Sequence, residues 1–369
     1  MIYPSYITKF PNPYNKKNET IFMYYYNSFE FKDLFEKRNL IQHQFDGLYF
    51  KGLKNYGSNK VIINMSKIPV DKYKPIYWDN KYIIKKSGAP KLVIGVDTFC
   101  KPVIWDLGRI NSAKIGGATG SGKTYLQKLI LIQSLYLGMD VYIYDGKRVD
   151  YEGDWKKTKN CYVVNTFKGF CSMIKTIYEI HNSRLKIIKY PFDTIDKYNK
   201  YHDGIPKKHI MLVIEEAVDI FGLNTKNMSK EEKKEYDDML FMLEQLARKS
   251  RATGIHICLN SQRLSADVVP PQINSNLKFK LCGTADDILS KVMIENTDAH
   301  DLLPDDSQGL FVDGNHNIIQ AYYMKNEQEL LKPLRKENDK EINYDRAFIE
   351  KTQEQEKDNP DYYLFKEEW

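Results

Sequence analysis

Short apolar runs alternate with longer amphipathic stretches over most of the chain, from residue 91 onward. Short apolar runs bounded by polar residues are typical of buried strands, and apolar positions that recur every three or four residues are typical of helices. The strands predicted in this way cover residues 91–95, 113–116, 141–145, 161–165, 210–215, 255–261 and 279–282, and the helices lie over about 123–137, within 168–189 and over about 231–252. Strands that are buried on both faces and separated by helices form a largely parallel sheet. We therefore expect an α/β fold in which helices flank the sheet.

The pattern also predicts the end of this region. Two apolar runs, 309–312 and 318–324, enclose Asp313-Gly314-Asn315, a turn sequence that favours a hairpin. We expect this hairpin at the edge of the sheet. After Lys325 charged residues dominate, and residues 325–369 are predicted to be a tail that is a helix, a partner-docking segment or disordered.

The first 90 residues predict a small α+β domain of unknown role. Residues 1–27 have no clear period and are either an irregular arm or the edge of that domain. A helix is predicted over 29–40, and strands are predicted at 47–50, 61–63 and 82–84. We therefore divide the chain into residues 1–90, 91–324 and 325–369.

Composition narrows the class of protein. With 42% hydrophobic and 28% charged residues the chain lies in the ordinary globular range, and no apolar run approaches the roughly 18 residues of a membrane-spanning helix. The beginning of the chain has no signal-peptide pattern, so we expect a cytoplasmic protein. The five cysteines are widely spaced without a Cys-x-x-Cys pair, which favours neither a disulfide framework nor a zinc site. The net charge of +6 is too modest to indicate nucleic acid by itself.

A phosphate-binding motif follows the second of these predicted strands. Gly117-Ala118-Thr119-Gly120-Ser121-Gly122-Lys123-Thr124 matches G-x-x-x-x-G-K-[ST], with a strand before it and an amphipathic helix after it. In such a P-loop the backbone N–H groups surround the phosphates of ATP, Lys123 bridges the β- and γ-phosphates, and the Thr124 hydroxyl ligates Mg²⁺. The alternative is a Gly-rich surface turn.

Polar residues at the ends of two other strands supply the rest of the chemistry. Glu215 is assigned to the water-mediated Mg²⁺ shell and Glu216 to orienting and activating the attacking water; the alternative is a solvated strand end. Gln262 is the candidate contact to the γ-phosphate. Arg251, with Arg248 as the alternative, is the candidate arginine that reaches the nucleotide of an adjacent subunit. Basic residues at a helix end also favour its dipole, so simple helix capping stays open for both arginines.

In this order the motifs resemble the FtsK/SpoIIIE-type DNA translocase ATPases. Residues 95–107 follow that family's G-x-D-x-x-G-x-P-V-x-x-D-L pattern except at Cys100, and 145–147 match its D-x-K segment. Glu215-Glu216 stands where the family has Asp-Glu. The remaining similarity lies in the A-R-x-x-G-I-H helix end at 247–256, the T-Q-R-P-S-x-D-V segment at 261–268 and the closing segment at 294–303. The resemblance covers about residues 92–324.

This resemblance implies a RecA-like P-loop NTPase core that binds ATP and Mg²⁺. It implies a ring of six motors around duplex DNA, in which Lys123, Thr124, Glu215 and Glu216 act within one subunit and Arg251 or Arg248 completes the neighbour's site. The segments 221–234 and 264–276 would then grip DNA phosphates, although the lysines of the first are equally explained as a solvated helix face.

The family resemblance leaves several functions open. No winged-helix pattern follows residue 324 and no membrane anchor precedes the motor, so we expect a motor of a mobile element, working in plasmid or conjugative transfer or in packaging, and recruited to membrane-bound machinery through a partner. The alternatives are a coupling ATPase that acts on single-stranded DNA, a protein-export ATPase of the type VII kind, and a nucleotide-dependent assembly factor.

Overall fold

The computed structural model describes most of the chain, namely residues 5–12, 19–25, 41, 43, 45, 47–55, 60–67, 75–262, 268–336 and 343–358. Four strands near the beginning form an antiparallel sheet in the order β1-β2-β4-β3: β1 Ser5–Pro11, β2 Glu19–Tyr25, β3 Tyr49–Asn55 and β4 Lys60–Ser66. The remaining strands form a second, 11-stranded sheet: β5 Ile76–Tyr77, β6 Lys91–Asp97, β7 Pro102–Asp106, β8 Ser112–Gly116, β9 Asp140–Tyr144, β10 Cys161–Val164, β11 Ile210–Ile214, β12 Ile255–Ser261, β13 Phe279–Cys282, β14 Leu310–Asp313 and β15 Ile318–Tyr323.

Helices connect most of these strands. They are α1 Lys123–Tyr136, α2 Asp154–Lys157, α3 Phe167–Ile187, α4 Ile195–Tyr201, α5 Val218–Phe221, α6 Lys230–Lys249, α7 Pro271–Asn274, α8 Asp287–Ile294, α9 Asp298–Asp301, α10 Glu327–Leu331 and α11 Tyr344–Asp358. Short 3-10 helices cover Asn80–Tyr82, Thr225–Asn227 and Lys332–Leu334. None of the helices in the described part of the chain has the length and apolarity needed to cross a bilayer.

The large sheet has a parallel centre, as predicted. Its order is β10-β9-β11-β12-β8-β13-β14-β15-β6-β7, and every pair from β10 to β13 is parallel. The carboxyl ends of β8, β11 and β12 therefore meet at one edge of the sheet, which is where ligands bind in sheets of this kind.

Side chains of the central strands point alternately to the two faces of the sheet and so contribute to two separate hydrophobic cores. Leu212 packs with α3 and α6 on one face, whereas Met211 and Val213 pack with α1 on the other. Because successive side chains of a strand point to opposite faces, a strand covered on both sides is apolar throughout. This explains why the sequence of β11 is an unbroken apolar run.

The hairpin of β14 and β15 is correctly predicted, but its expected position at the sheet edge is wrong. A second hairpin, β6 and β7, continues the sheet because β6 pairs with β15 in antiparallel fashion. Gly95 makes this approach feasible, since a Cβ at that position would lie only 2.0 Å from the carbonyl oxygen of Gln320.

The amino-terminal region differs from the sequence prediction in two further respects. Two strands, β1 and β2, occupy the residues for which an irregular arm was one alternative. The strand predicted at 82–84 is wrong: Asn80–Tyr82 is a 3-10 helix, because the Asp79 carboxylate accepts the Lys81 N–H at 2.9 Å and closes a turn. The helix predicted over 29–40 lies outside the described residues.

Buried polar contacts join the small sheet to the large one. Glu19 accepts hydrogen bonds from Lys51 and, at 2.7 Å, from Asn64, and all three side chains are buried. Asn64 also donates to the carbonyl oxygen of Thr98, in the turn between β6 and β7. The division at residue 90 stays a prediction, and β5, which precedes it, pairs with β15 of the large sheet.

Candidate active site

The P-loop joins β8 to α1 at the carboxyl edge of the sheet. Gly117, Gly120 and Gly122 have φ angles of 138°, 84° and 96°, a region that favours glycine. Gly122 immediately precedes α1, so the unpaired N–H groups of the helix start face the loop. The buried Ser121 hydroxyl has no hydrogen-bond partner within the described residues. A glycine-rich turn, a helix start and an unused hydroxyl fit a bound phosphate.

Two distant segments fix the shape of this loop. The Ala118 N–H donates to the carbonyl oxygen of Thr284 at 2.6 Å, and the Gly309 N–H donates to that of Ser121 at 2.9 Å. Thr284 follows β13 and Gly309 precedes β14. Sequence reasoning singled out neither residue, because both reach the loop only through the order of strands in the sheet.

Lys123 lies inside the curve of the P-loop. Its buried ammonium donates to the carbonyl oxygens of Gly117 and Ala118, the latter at 3.0 Å. Burial lowers the pKa of Lys123 to about 8, and the nearby Glu216 and Glu215 carboxylates oppose this effect. A cation held in this position is suited to bind the phosphates that the loop encloses.

The Thr124 hydroxyl and the Glu215 carboxylate are in direct contact. The Thr124 hydroxyl donates to Glu215 Oε1 at 3.2 Å, and the Asn260 amide approaches Glu215 Oε2 at 3.4 Å. Burial raises the pKa of Glu215 to about 7, and the Asp150 carboxylate adds to this shift. A hydroxyl and one carboxylate fit Mg²⁺, which in nucleotide sites takes its other ligands from water and the substrate phosphates. No group of three acidic, His or Cys side chains in the described segments could hold a metal by itself.

Glu216 has a different set of partners. The Ser261 hydroxyl donates to Glu216 Oε1 at 2.6 Å, the Gln262 N–H donates to Oε2 at 3.2 Å, and the Lys147 ammonium lies 3.8 Å from Oε2. Gln262 also meets the P-loop, since its side-chain oxygen accepts the Thr119 hydroxyl at 3.1 Å. The structure thus brings Lys123, Thr124, Glu215, Glu216 and Gln262 together, as the sequence analysis expects.

Comparison with known proteins supports the same class of motor. No family model matches the chain. It is 24% identical over 295 residues to "DNA translocase FtsK" of Helicobacter pylori strain J99, which covers 76% of this chain and 33% of that protein. The chain therefore spans about one third of the length of that curated relative. The solved structure of the pCW3 conjugation coupling protein TcpA, in a monomer form with ATPγS, is 25% identical, with a TM-score of 0.65 over 90% of this chain and 94% of that one.

In sequence and in fold, the chain is similar to P-loop motors of the FtsK/SpoIIIE type. The RecA-like α/β core predicted for it is confirmed, because a match with TcpA over nearly the whole of both chains includes the large sheet and its helices. The cytoplasmic domain of the Thermomonospora curvata type VII secretion ATPase EccC shares this fold at 16% identity and a TM-score of 0.54, over 71% of this chain and 33% of that one.

Beside the P-loop, Asp145 organises a loop that sequence reasoning did not assign to the site. Its buried carboxylate accepts the N–H groups of Arg148, Val149, Asp150 and Tyr151. Lys147 is carried on the same loop, and this brings its ammonium to Glu216. The sequence signal was the D-x-K match at 145–147, which named the motif without giving it a role.

The two candidate arginines of the motor lie away from its P-loop. Arg251 is in the turn before β12, whereas Gln262 directly follows that strand. A strand of this length spans roughly 20 Å, which exceeds the reach of an arginine side chain. Arg248, near the end of α6, lies on the same side, and both arginines are exposed. Neither can contact the nucleotide of its own chain.

Proposed function

We propose that this chain is an ATPase that translocates DNA, working as a homohexameric ring on duplex DNA. The observation that carries the proposal is the convergence of Lys123, Thr124, Glu215 and Glu216 at one edge of the sheet, in a motor whose relatives are DNA translocases. The activity, the substrate and the ring are all part of the proposal.

In the proposed reaction each residue has a separate task. The P-loop N–H groups and Lys123 hold the β- and γ-phosphates, and bound Mg²⁺, held by Thr124 and Glu215, would offset their negative charge. Water attacks the γ-phosphorus while Glu216 takes its proton. The bond from phosphorus to the bridging oxygen breaks, and ADP leaves with that electron pair. Gln262 contacts the γ-phosphate.

The first segment proposed to contact DNA, 221–234, follows Glu216 in the chain. Lys226, Lys230 and Lys233 are exposed in the segment that runs from α5 into α6. Lysines of this kind bind the phosphate backbone without reading the bases. The second proposed segment, 264–276, lies partly outside the described residues. Coupling of hydrolysis to DNA movement would follow because Glu216 and Gln262 each lie a few residues before one of these segments.

The exposed position of Arg251, far from its own P-loop, favours a role in a neighbouring subunit. Subunits that associate head to tail form a ring if the arrangement closes. In such a ring each subunit supplies Arg251, or Arg248, to the nucleotide bound by its neighbour. We place such a ring in the cytoplasm, in DNA transfer or packaging by a mobile element, with a partner that recruits it to membrane-bound machinery.

A second candidate is a coupling ATPase that passes single-stranded DNA to a transfer channel. The similarity to the conjugation coupling protein TcpA favours it, since that match extends over 90% of this chain. Only a shared fold favours the protein-secretion alternative.

Steady-state ATP hydrolysis with no DNA, duplex DNA or single-stranded DNA, measured across a salt series, distinguishes these functions. We expect duplex DNA to stimulate turnover and the stimulation to fade as salt rises, because phosphate contacts release counterions. The Lys123→Ala variant is the blank. Stimulation by single strands alone would favour the coupling ATPase, and no stimulation by either would exclude DNA as the direct substrate.

A further inference from the structure

The two adjacent glutamates of the site face two adjacent polar residues on the next strand. β11 and β12 are parallel, with Ile214 opposite Leu259. The Ala217 N–H donates to the carbonyl oxygen of Asn260 at 2.8 Å, so the segment that follows β11 stays beside the end of β12. Glu215 and Glu216, which directly follow β11, therefore lie beside Asn260 and Ser261, the last two residues of β12.

Each glutamate contacts a different one of these two polar side chains. The Asn260 amide lies 3.4 Å from Glu215, and the Ser261 hydroxyl lies 2.6 Å from Glu216. Because successive side chains of a strand point to opposite faces, the two contacts lie on opposite sides of the sheet. The two carboxylates therefore have different surroundings, one on each face of the sheet.

The contact from Ser261 is the shorter and more enclosed of the two. Ser261 is fully buried, and water cannot compete for its hydroxyl. A hydrogen bond to an ionised acceptor in a dry site is strong, and it restricts the rotation of the carboxylate. With Oε1 held by Ser261, Oε2 is the oxygen of Glu216 that faces Lys147.

We propose that Ser261 is a positioning residue that aims the Glu216 carboxylate at the attacking water. The inference rests on the proposed ATPase function and adds a residue to its mechanism. Ser261 contacts Glu216, whereas Lys123 and Thr124 bind their partners without it. Loss of the hydroxyl should therefore slow the chemical step and leave nucleotide binding intact.

The test compares Ser261→Ala, Ser261→Cys and Ser261→Thr in the full chain. A misdirected base costs on the order of 100-fold in rate, so we expect the alanine and cysteine variants to lose kcat to that extent. Their KM for ATP and their affinity for a fluorescent ATPγS analogue should stay at wild-type values. Threonine, which retains the hydroxyl, should restore most of the rate.

Ser112→Ala is the matched control. Ser112 is an equally buried serine in β8 of the same sheet, and its hydroxyl has no partner among the described residues. We expect wild-type turnover from this variant. Thermal unfolding of each variant shows that the comparison is made on folded protein.

Several outcomes would overturn the inference. Wild-type kcat in Ser261→Ala, an equal loss in Ser261→Thr, or a loss of ATPγS affinity that accounts for the whole effect would each exclude a positioning role for the hydroxyl. If the wild-type chain turns over ATP and Ser261→Ala is unimpaired, the proposed function stands and only this inference fails. Absence of turnover in the wild type would overturn both.

Discussion

Glu215 and Glu216 are neighbours in the chain but have different chemistry. Glu215 contacts Thr124, and burial raises its pKa to about 7. Glu216 contacts Ser261 and Lys147. A bound cation would stabilise the ionised form of a carboxyl with a raised pKa, which suits the metal position. A carboxyl held by hydrogen bonds from Ser261 and from the Gln262 N–H suits the base.

The raised pKa of Glu215 predicts that binding of Mg²⁺ and nucleotide depends on pH. A cation favours the ionised carboxylate, so binding should release a proton and weaken as the pH falls from 8 to 6. Titration calorimetry of Mg²⁺-ATPγS in buffers of different ionisation enthalpy measures that proton. In Glu215→Gln the released proton should disappear, and its persistence would exclude Glu215 as the source.

The same shift affects the stability of the unliganded chain. The folded-state pKa of Glu215 lies above its ordinary value of 4.5, so the folded state holds the proton more tightly than the unfolded state. The contribution of Glu215 is most favourable below pH 4.5 and is lost as the pH rises to about 7. Glu215→Gln should remove this part of the pH dependence of the unfolding midpoint.

Glu216→Gln should bind ATP without turning it over. The amide keeps the size of the side chain and an oxygen that accepts the Ser261 hydroxyl, but it cannot take a proton from water. General bases contribute typically 10²–10⁴-fold, so we expect a loss of kcat of about that size. Binding of the fluorescent ATPγS analogue should be retained. Hydrolysis at the wild-type rate would disprove the assignment of the base.

At the scale of elements, α11 links the charged tail to the motor. Tyr344 and Phe348 are buried against the motor core, and Asp345 accepts the N–H groups of Asn165 and Thr166 at 3.0 and 2.9 Å. These bonds occupy the start of α3, where the backbone donors have no helical partner. Residues 344–358 of the predicted tail are therefore a helix that is part of the motor fold.

Removal of the Asp345 charge should destabilise this junction. Asp345→Asn keeps the size of the side chain but replaces one acceptor oxygen by a donor, which leaves a part-buried N–H group without an acceptor. We expect a loss of about 1–3 kcal/mol in the free energy of unfolding, measured in urea. Glu350→Gln, which removes an exposed ion pair with Arg346 on the same helix, should leave the midpoint unchanged. Equal effects of the two substitutions would argue against a specific cap.

At the scale of the whole molecule, the distance between Arg251 and its own P-loop makes the single chain incomplete as an ATPase of the proposed kind. Lys123→Ala and Arg251→Ala should each be inactive, and an equimolar mixture should regain activity. In the mixture, the intact P-loop of an Arg251→Ala subunit can lie next to the intact Arg251 of a Lys123→Ala subunit, and together they form a complete site. ATP hydrolysis by the mixture measures the recovery.

The matched control for this experiment mixes Lys123→Ala with Glu216→Gln. Both residues belong to the same P-loop site, so no interface in that mixture is complete and no activity should return. Failure of the Arg251→Ala mixture to recover, together with recovery when Arg248→Ala takes its place, would transfer the role to Arg248.

The sequence alone determined the central fold and the identity of the chemical groups. Periodicity and turn chemistry are local, so β8 to β13, the P-loop and the acidic end of β11 could be predicted from neighbouring residues. The assigned roles of these groups stay predictions. Only the tertiary structure placed β6 and β7 beyond β15, and only it brought Thr284 and Gly309 to the P-loop.

Ser261 shows the physical reason for this division. Its role depends on the register of β11 against β12, and hydrogen bonds between strands set that register without leaving a local pattern in the sequence. A serine at a strand end is unremarkable until the strand beside it is known. Contacts between residues distant in the chain are therefore decided by the order and register of the strands, which the tertiary structure alone provides.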